Sequence, residues 1–146
     1  MTDTRVIELQ CNVDDMTAEQ IAFAIETFLA AGANDAYATP ITMKKSRPAM
    51  LLTVMCTEAQ RDDMLQLIFR HTSTIGIREV LYERYVLDRT ETVVDTPHGK
   101  VRRKDASGYG IRRSKYEFED VAAIARKLGI SYAEALAFAE SSDKDQ

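Results

Sequence analysis

Two adjacent carboxylates, Asp14 and Asp15, follow the apolar run near the start of the sequence. Carboxylate oxygens at the end of a strand suit a hard divalent cation such as Mg²⁺ or Mn²⁺. The same residues also precede a predicted helix, and the positive end of a helix favours acidic side chains with no metal present. The pair is a candidate metal site that also has a purely structural explanation.

Three cations, Lys44, Lys45 and Arg47, lie within four residues, with Ser46 among them and Pro48 after them. Such a cluster suits phosphate oxygens, to which Arg offers a planar fork of donors and Lys a point charge. Charged residues at the tip of a hairpin can also serve only to keep the strand edges soluble. From these residues alone, a phosphate site and a solvated tip both remain open.

Segment 71–78, His-Thr-Ser-Thr-Ile-Gly-Ile-Arg, brings together hydroxyl groups, a glycine and an arginine. Thr74 could bind an anion through its hydroxyl, Gly76 would allow close backbone approach, and Arg78 supplies a charged fork. An ordinary helix-to-strand loop is the alternative, because the Gly-Lys-Ser/Thr ending of a P-loop is absent. No nucleophile elbow occurs and there are only two histidines, so catalytic residues stay unknown.

Positive charge is concentrated in one segment of an acidic chain. The net charge is −4, yet residues 100–115 contain seven Lys or Arg against Asp105 alone. A local basic patch on an acidic protein indicates a discrete anionic ligand more than general adhesion to nucleic acid or membrane. A solvated surface is the alternative. No apolar run reaches the ~20 residues of a membrane span, and no signal peptide is recognisable, so we expect a cytoplasmic protein.

The elements that must position these residues follow the order strand, helix, strand, strand, helix, strand. Residues 5–13 alternate as a strand does, and each helix begins with a Thr-x-x-Gln capping box, at Thr17 and Thr57. Pro40 favours an edge position for the second strand. This order predicts an α+β fold, a ferredoxin-like split βαβ sandwich over residues 1–90.

The remaining sequence predicts an appendage over residues 91–140, consisting of a β-hairpin and carboxy-terminal helices. The hairpin turns at Thr96–Gly99, the segment 105–114 is expected to be a loop, and Gly129 separates two helices. Residues 141–146 are expected to form a disordered tail.

The expected topology restricts how the candidate residues combine. We expect the first and third strands to run parallel, which places Asp14 and Asp15 with Thr74–Arg78 at one end of the sheet. The Lys44–Arg47 tip would then lie at the other end, roughly 20 Å away. The fourth strand would then end beside the Lys44–Arg47 tip, and the basic hairpin would follow it there. One small ligand could touch both groups only if a second subunit contributed its own tip.

Four motifs occur in order that resemble the carboxy-terminal region of the LarC family of nickel-insertion proteins. They are CNVDDMTAEQ, ATPITMKKSRPAMLLTVMC, TSTIGIRE and KYEFEDVAAIARKLGIS, and the resemblance spans residues 5–140. Family members commonly have Asn where Ser46 stands, and Pro-Glu-Tyr where Tyr116-Glu117-Phe118 stands. The first departure keeps a hydrogen-bonding group, and the second removes a helix-start signal.

The resemblance implies a CTP-dependent nickel chelatase of the lyase class. Such an enzyme inserts Ni²⁺ into pyridinium-3,5-bisthiocarboxylic acid mononucleotide and so makes the nickel-pincer cofactor of lactate racemase. It implies CTP as co-substrate, Mn²⁺ or Mg²⁺ as a second metal, a homo-oligomer, and a larger protein whose amino-terminal region is absent here. The implied nucleotide-binding residues are Lys44, Lys45, Ser46, Arg47, Thr74 and Arg78, and the implied metal ligands are Asp14 and Asp15.

Two other functions remain open. Ferredoxin-like domains often bind small ligands at subunit interfaces, so the chain could be a non-catalytic regulatory module for a small anionic ligand. A nucleic-acid binder that uses residues 100–115 is a third, weaker alternative, whereas an RNA-recognition module built on the first sheet is disfavoured. RNA-recognition modules stack bases on aromatic residues of the central strands, and segment 49–56 has none.

Overall fold

The computed structural model describes residues 5–144, and the chain divides into two compact units, Met1–Tyr85 and Val86–Gln146. The first unit contains β1 (Arg5–Val13), α1 (Ala18–Ala30), β2 (Asp35–Met43), β3 (Arg47–Cys56), α2 (Arg61–His71) and β4 (Arg78–Glu83). The second contains β5 (Asp88–Thr96), β6 (Gly99–Gly108), β7 (Ile111–Tyr116), α3 (Phe118–Leu128) and α4 (Tyr132–Lys144).

The first unit has the predicted ferredoxin-like fold. Its sheet has the order β2-β3-β1-β4, so β2, the strand that contains Pro40, lies at an edge as expected. Alternate residues of β1 and β3 turn to one face and pack against α1 and α2. The buried residues of this core are Ile7, Leu9, Cys11, Val13, Ile21, Ala24, Phe28, Ala36, Leu52, Val54, Cys56, Met64 and Ile68.

Both predicted capping boxes are present. The Gln20 amide donates to the Thr17 hydroxyl at 3.2 Å, and the Thr17 amide donates to the Gln20 side chain at 2.9 Å. Thr57 and Gln60 form the same box ahead of α2. Each box satisfies backbone donors that the first turn of a helix would otherwise leave without partners. Thr17 thereby also ends the loop that carries Asp14 and Asp15.

The direction of β3 corrects a prediction. β1 and β3 are antiparallel, with Val13 opposite Met50 and Ile7 opposite Cys56. The α1 crossover makes β2 parallel to β1, and the hairpin then reverses the chain into β3. The expectation of parallel central strands was therefore wrong. As a consequence, the β2–β3 tip lies at the end of the sheet where β1 ends.

The direction of β4 corrects a second prediction. β4 is antiparallel to β1, with Arg78 opposite Gln10 at its start and Glu83 opposite Arg5 at its end. The first residue of β4 therefore lies at the end of the sheet that holds the β2–β3 tip, and its last residue lies at the opposite end. We had expected the last residue of this strand to lie at the end with the tip.

The second unit is a three-stranded antiparallel sheet with the order β5-β6-β7 and two helices. The predicted hairpin is present, but most of the expected loop over residues 105–114 belongs to β6 and β7, which a short turn at Tyr109 and Gly110 connects. The predicted tail is also partly wrong, because α4 continues to Lys144. Asp145 and Gln146 lie outside the described residues.

A polar network joins the inner face of the second sheet to α4. Arg103 donates to Asp105 at 2.9 Å and also forms an ion pair with Asp143. The Tyr116 hydroxyl donates to the Asp143 carboxylate at 2.7 Å. The Tyr116 hydroxyl and the Arg103 guanidinium together hold the pKa of the Asp143 carboxyl below its usual range.

Cys11 and Cys56 are buried free thiols. Burial raises the pKa of both thiols, so they act as small apolar residues of the core. Among the helices of residues 5–144, none is long and apolar enough to cross a membrane.

Candidate functional site

Three loops meet at one end of the first sheet. The loop after β1 carries Asp14 and Asp15, the β2–β3 tip carries Lys44–Arg47, and the α2–β4 loop carries Thr74. The pairing of β1 with both β3 and β4 brings these loops together, since both neighbours begin where β1 ends. The structure therefore groups candidate residues that we expected to find about 20 Å apart.

Asp14 contacts the basic tip within the same chain. An Arg47 guanidinium nitrogen lies 3.4 Å from an Asp14 carboxylate oxygen. The Arg47 side chain is 57% exposed and that of Asp14 is 27% exposed. An ion pair so open to solvent contributes only about 0–1 kcal/mol to stability, and it can open to admit a ligand at low cost.

Asp15 contacts the opposite side of the site. Its carboxylate accepts a short hydrogen bond from the Ser73 hydroxyl in the α2–β4 loop. The two adjacent carboxylates therefore have different partners, Asp14 on the β3 side and Asp15 on the β4 side. Ser73 belongs to the hydroxyl-rich segment that the sequence indicated, but Thr74 was the residue selected there.

Arg78 and Thr74 border the site less directly. Arg78 donates to the Asn12 side-chain oxygen at 2.8 Å, on the sheet face that the helices do not cover. Thr74 donates to the Gly76 carbonyl at 2.8 Å, a bond that shapes its own loop. Asn12 was not selected from the sequence. Strand alternation could have found it, because it lies two residues before Asp14 and so on the same face.

Lys44 and Lys45 have no ion pair or hydrogen bond with any described residue, and both side chains are exposed. Lys45 and Ser46 adopt left-handed backbone conformations, with φ of 61° and 56°. Such a conformation costs roughly 1–2 kcal/mol for a residue with a Cβ. Residues held in sparsely populated backbone conformations cluster at ligand sites, although the turns of β-hairpins also use positive φ values.

Two cavities flank the loop that carries the carboxylates. A cavity of about 770 Å³ borders Asp15, Phe23, His71 and Ser73 between α1 and the end of α2. A smaller one of about 240 Å³ borders Asp14 and the apolar side chains of the β2–β3 ladder. The larger cavity is in the size range of small-molecule sites. Phe23 was read from the sequence only as part of α1, because an exposed aromatic residue carries no local signal.

The oxygen donors around the loop fit a hard divalent cation. Within residues 5–144, no group of three or more His, Cys, Asp or Glu side chains is arranged to hold a metal ion. Mg²⁺ typically uses one or two carboxylates and completes its shell with water and substrate phosphates. The Asp14 and Asp15 carboxylates and the Ser73 hydroxyl match that requirement, whereas a soft-metal cage would need thiolates, and both cysteines are buried.

The chain is similar to known proteins over nearly its whole length. A family model described as "Nickel insertion protein" matches residues 1–136. Among solved structures, the apo form of LarC2 is similar over 97% of this chain and 98% of that one, with a TM-score of 0.83 and 34% identity. LarC2 is described as the C-terminal domain of a cyclometallase involved in the synthesis of the NPN cofactor of lactate racemase.

Two curated relatives are pyridinium-3,5-bisthiocarboxylic acid mononucleotide nickel insertion proteins. The protein of Alkaliphilus metalliredigens is 40% identical over 85% of this chain and 30% of its own length. The protein of Staphylococcus saprophyticus is 39% identical over 90% of this chain and 34% of its own length. The chain thus spans about a third of the curated relatives that it matches. Because the family model covers residues 1–136 of the 146 in the sequence, this chain belongs to the nickel insertion protein family.

Proposed function

We propose that the end of the first sheet binds CTP together with a hard divalent cation, and that it does so for a nickel-insertion reaction. The observation that carries the proposal is the approach of Arg47 to Asp14, at 3.4 Å. It supports the proposal because it joins the loop that carries the cations to the loop that carries the carboxylates within one subunit. A metal–triphosphate needs both, since its oxygens need cations and its metal needs hard anionic ligands.

In this proposal, the residues of the tip bind the phosphates. Lys44 and Lys45 are exposed and have no partner among the described residues, so they can turn to a ligand without breaking an ion pair. Arg47 can exchange Asp14 for a phosphate oxygen, and Arg78 borders the site from β4. Each such charge-assisted hydrogen bond contributes about 1.5–3 kcal/mol.

Asp14 and Asp15 would hold the divalent cation, with the Ser73 hydroxyl orienting Asp15. The cation, when bound, neutralises phosphate charge and orients the nucleotide. Nickel is the cargo of the reaction, and pyridinium-3,5-bisthiocarboxylic acid mononucleotide is its acceptor. The rest of the enzyme, corresponding to the amino-terminal region of larger relatives, and self-association into a homo-oligomer remain predictions from the resemblance.

Calorimetric titration of the full chain with CTP tests the proposal, with and without Mn²⁺. We expect binding that requires the cation and prefers CTP over ATP. The double variant Lys45→Ala and Arg47→Ala should weaken binding by about tenfold or more. Its stability should change by less than about 0.5 kcal/mol, because both side chains are exposed.

The matched control is Arg5→Ala with Arg61→Ala, which removes the same charge near the opposite end of the sheet, where β1 begins and β3 has ended. It should leave CTP affinity unchanged. Equal affinity for CTP and ATP, or equal loss in both double variants, would contradict a specific nucleotide site at the tip. Metal-dependent CTP binding that supports no nickel transfer when Ni²⁺ and the mononucleotide are supplied would favour the regulatory alternative.

A further inference from the structure

The second unit has a basic sheet face that the proposed CTP site does not use. Val94 and Val101 are directly opposite each other on β5 and β6 and are fully buried. Val101 packs with residues of α3 and α4. Val94 and Val101 thus mark the inner face of the sheet. Because side chains alternate along a strand, every second residue, starting from the neighbours of these valines, turns to the outer face. That face carries Lys104, Ala106, Arg89, Arg113 and Lys115.

Four of these residues are cations arranged in two rows around Ala106. In one row, Ala106 lies directly opposite Arg89 on β5 and Arg113 on β7. In the next row, Lys104 lies directly opposite Lys115. Directly paired residues have Cβ atoms only about 4.5–5.5 Å apart. Because Ala106 is small, the cations border a depression of about 420 Å³.

Most of this charge has no partner within residues 5–144. Lys104 pairs with Glu117 at 2.6 Å. The side chains of Arg89, Arg113 and Lys115 form no ion pair or hydrogen bond with any residue described there. Like charges directly opposite in a sheet are destabilising, so the arrangement carries a cost that a bound anion would remove. The inner face of the same sheet differs, because there Arg103 lies between two carboxylates.

The charge excess indicates the size of the anion. Two carboxylates accompany the four cations on the outer face, Glu117 beside Lys104 and Glu91 directly opposite it on β5. Both belong to the Lys104 row, and the Ala106 row has none. Asp105 also borders the depression, but its carboxylate pairs with Arg103 on the inner face. Two positive charges are therefore left over, centred on the depression. A phosphate monoester carries a charge of about −1.5 to −2 near pH 7 and offers three acceptor oxygens, which Arg forks bind well.

We propose that this outer face binds the phosphate monoester of an anionic mononucleotide, the acceptor of the nickel. This inference rests on the proposed function for the identity of the mononucleotide, and it assigns that ligand a site separate from the CTP site. The Glu117 carboxylate is already paired with Lys104, and that of Asp105 with Arg103, so the face suits a metal-free phosphate better than a metal–triphosphate.

A nucleic-acid strand fits this face less well. Single-stranded binders stack bases on aromatic side chains. The outward positions of β5, β6 and β7 carry no aromatic residue, and the exposed Tyr109 lies in the β6–β7 turn. The unpaired cations surround one depression instead of following a backbone along the sheet.

The test is calorimetric titration of the full chain with nicotinate mononucleotide, a pyridinium mononucleotide, in low salt without CTP or divalent metal. We expect binding that nicotinic acid riboside, which differs only in lacking the phosphate, does not reproduce. Arg113→Ala with Lys115→Ala should weaken it by about tenfold or more. Arg126→Ala with Lys127→Ala removes the same charge from α3 and should have no effect.

Several results would overturn the inference: no binding of nicotinate mononucleotide at millimolar concentration, equal binding of the riboside, or loss of binding in the Lys45→Ala and Arg47→Ala variant instead. Tighter, salt-sensitive binding of a 20-nucleotide RNA, lost in the Arg113→Ala and Lys115→Ala variant, would identify a general polyanion surface and would also overturn it. CTP titrations with Mn²⁺ on the same variants separate the two proposals. CTP binding should survive in the Arg113→Ala and Lys115→Ala variant whether or not the mononucleotide binds.

Discussion

The Arg47 guanidinium lies 3.4 Å from the Asp14 carboxylate, although 33 positions separate the two residues in the sequence. One belongs to the start of β3 and the other follows the end of β1, and the antiparallel pairing of these strands brings them together. A cation cluster and a carboxylate pair therefore share one end of one sheet. No second subunit is needed to bring them within reach of a single ligand.

Asp14→Asn should raise the Mn²⁺ concentration needed for CTP binding by about tenfold. Mutations around a metal site typically lower metal affinity by about 10–100-fold, and the expected effect is at the lower end of that range. Removing the charge weakens a metal ligand while keeping its shape. Asp63→Asn is the control, because it removes the same charge from an exposed carboxylate in the first turn of α2, outside the proposed site. Mn²⁺ titrations at fixed CTP measure the effect. The same change in both variants would mean that Asp14 only favours the positive end of α1.

Thr17→Ala and Thr57→Ala should each lower the free energy of unfolding by about 1 kcal/mol, because each removes a capping hydroxyl. Only Thr17→Ala should also weaken CTP binding, since Thr17 ends the loop that carries the carboxylates. Urea unfolding and calorimetry on both variants compare the two effects. Equal CTP affinity in both variants would mean that the loop that carries Asp14 and Asp15 does not take part in nucleotide binding.

Ser46→Asn should raise the free energy of unfolding by a few tenths of a kcal/mol, because Asn tolerates the left-handed backbone conformation better than Ser. Ser46 has a φ of 56°, which lies in the left-handed region that Asn adopts more readily. Ser107→Asn, on strand β6, is the control and should bring no gain. A gain of equal size at Ser107 would show that the effect does not come from the backbone at the tip.

The stability of the second unit should depend on pH at both extremes. The pKa of Asp143 is lowered by the Tyr116 hydroxyl and the Arg103 guanidinium. The contribution of Asp143 to the free energy of unfolding is therefore fully present when the pH is above the ordinary pKa of the group, near 3.8. It is lost as the pH falls through the lowered pKa of the folded state. Burial and the hydrogen bond to Asp143 raise the pKa of Tyr116 to about 12. The contribution of Tyr116 to the free energy of unfolding is therefore fully present below about pH 10 and is lost as the pH rises through about 12.

Urea unfolding followed by circular dichroism at a series of pH values measures both effects. Asp143→Asn should be less stable than the parent at pH 7 and should change less on acidification. Tyr116→Phe should flatten the alkaline part of the profile. Arg126→Ala, on the surface of α3, should keep both parts. An unchanged acid profile in Asp143→Asn would mean that the network contributes nothing to folding.

The sequence alone determined the elements of the first unit, because their signals are local. Alternating apolar residues, Thr-x-x-Gln capping boxes and Pro40 act within a few residues of where they occur, and they predicted the ferredoxin-like order correctly. The candidate residues were found in the same way, from their types and their density. The resemblance to a known family added the expectation that they bind a nucleotide and a divalent cation.

Only the tertiary structure decided which candidates meet. The pairing of β1 with β3 joins residues that are distant in sequence, so no local pattern reports its direction, and the separation expected between the tip and Asp14 was wrong. The strand β7 was missed because two glycines and Tyr109 in its turn read as a loop, while its pairing with β6 is non-local. The same holds for Ser73, the partner of Asp15, and for Asn12, the partner of Arg78. Both are distant in sequence from the residues they contact, and the strand register that buries the apolar face of the sheet brings them close.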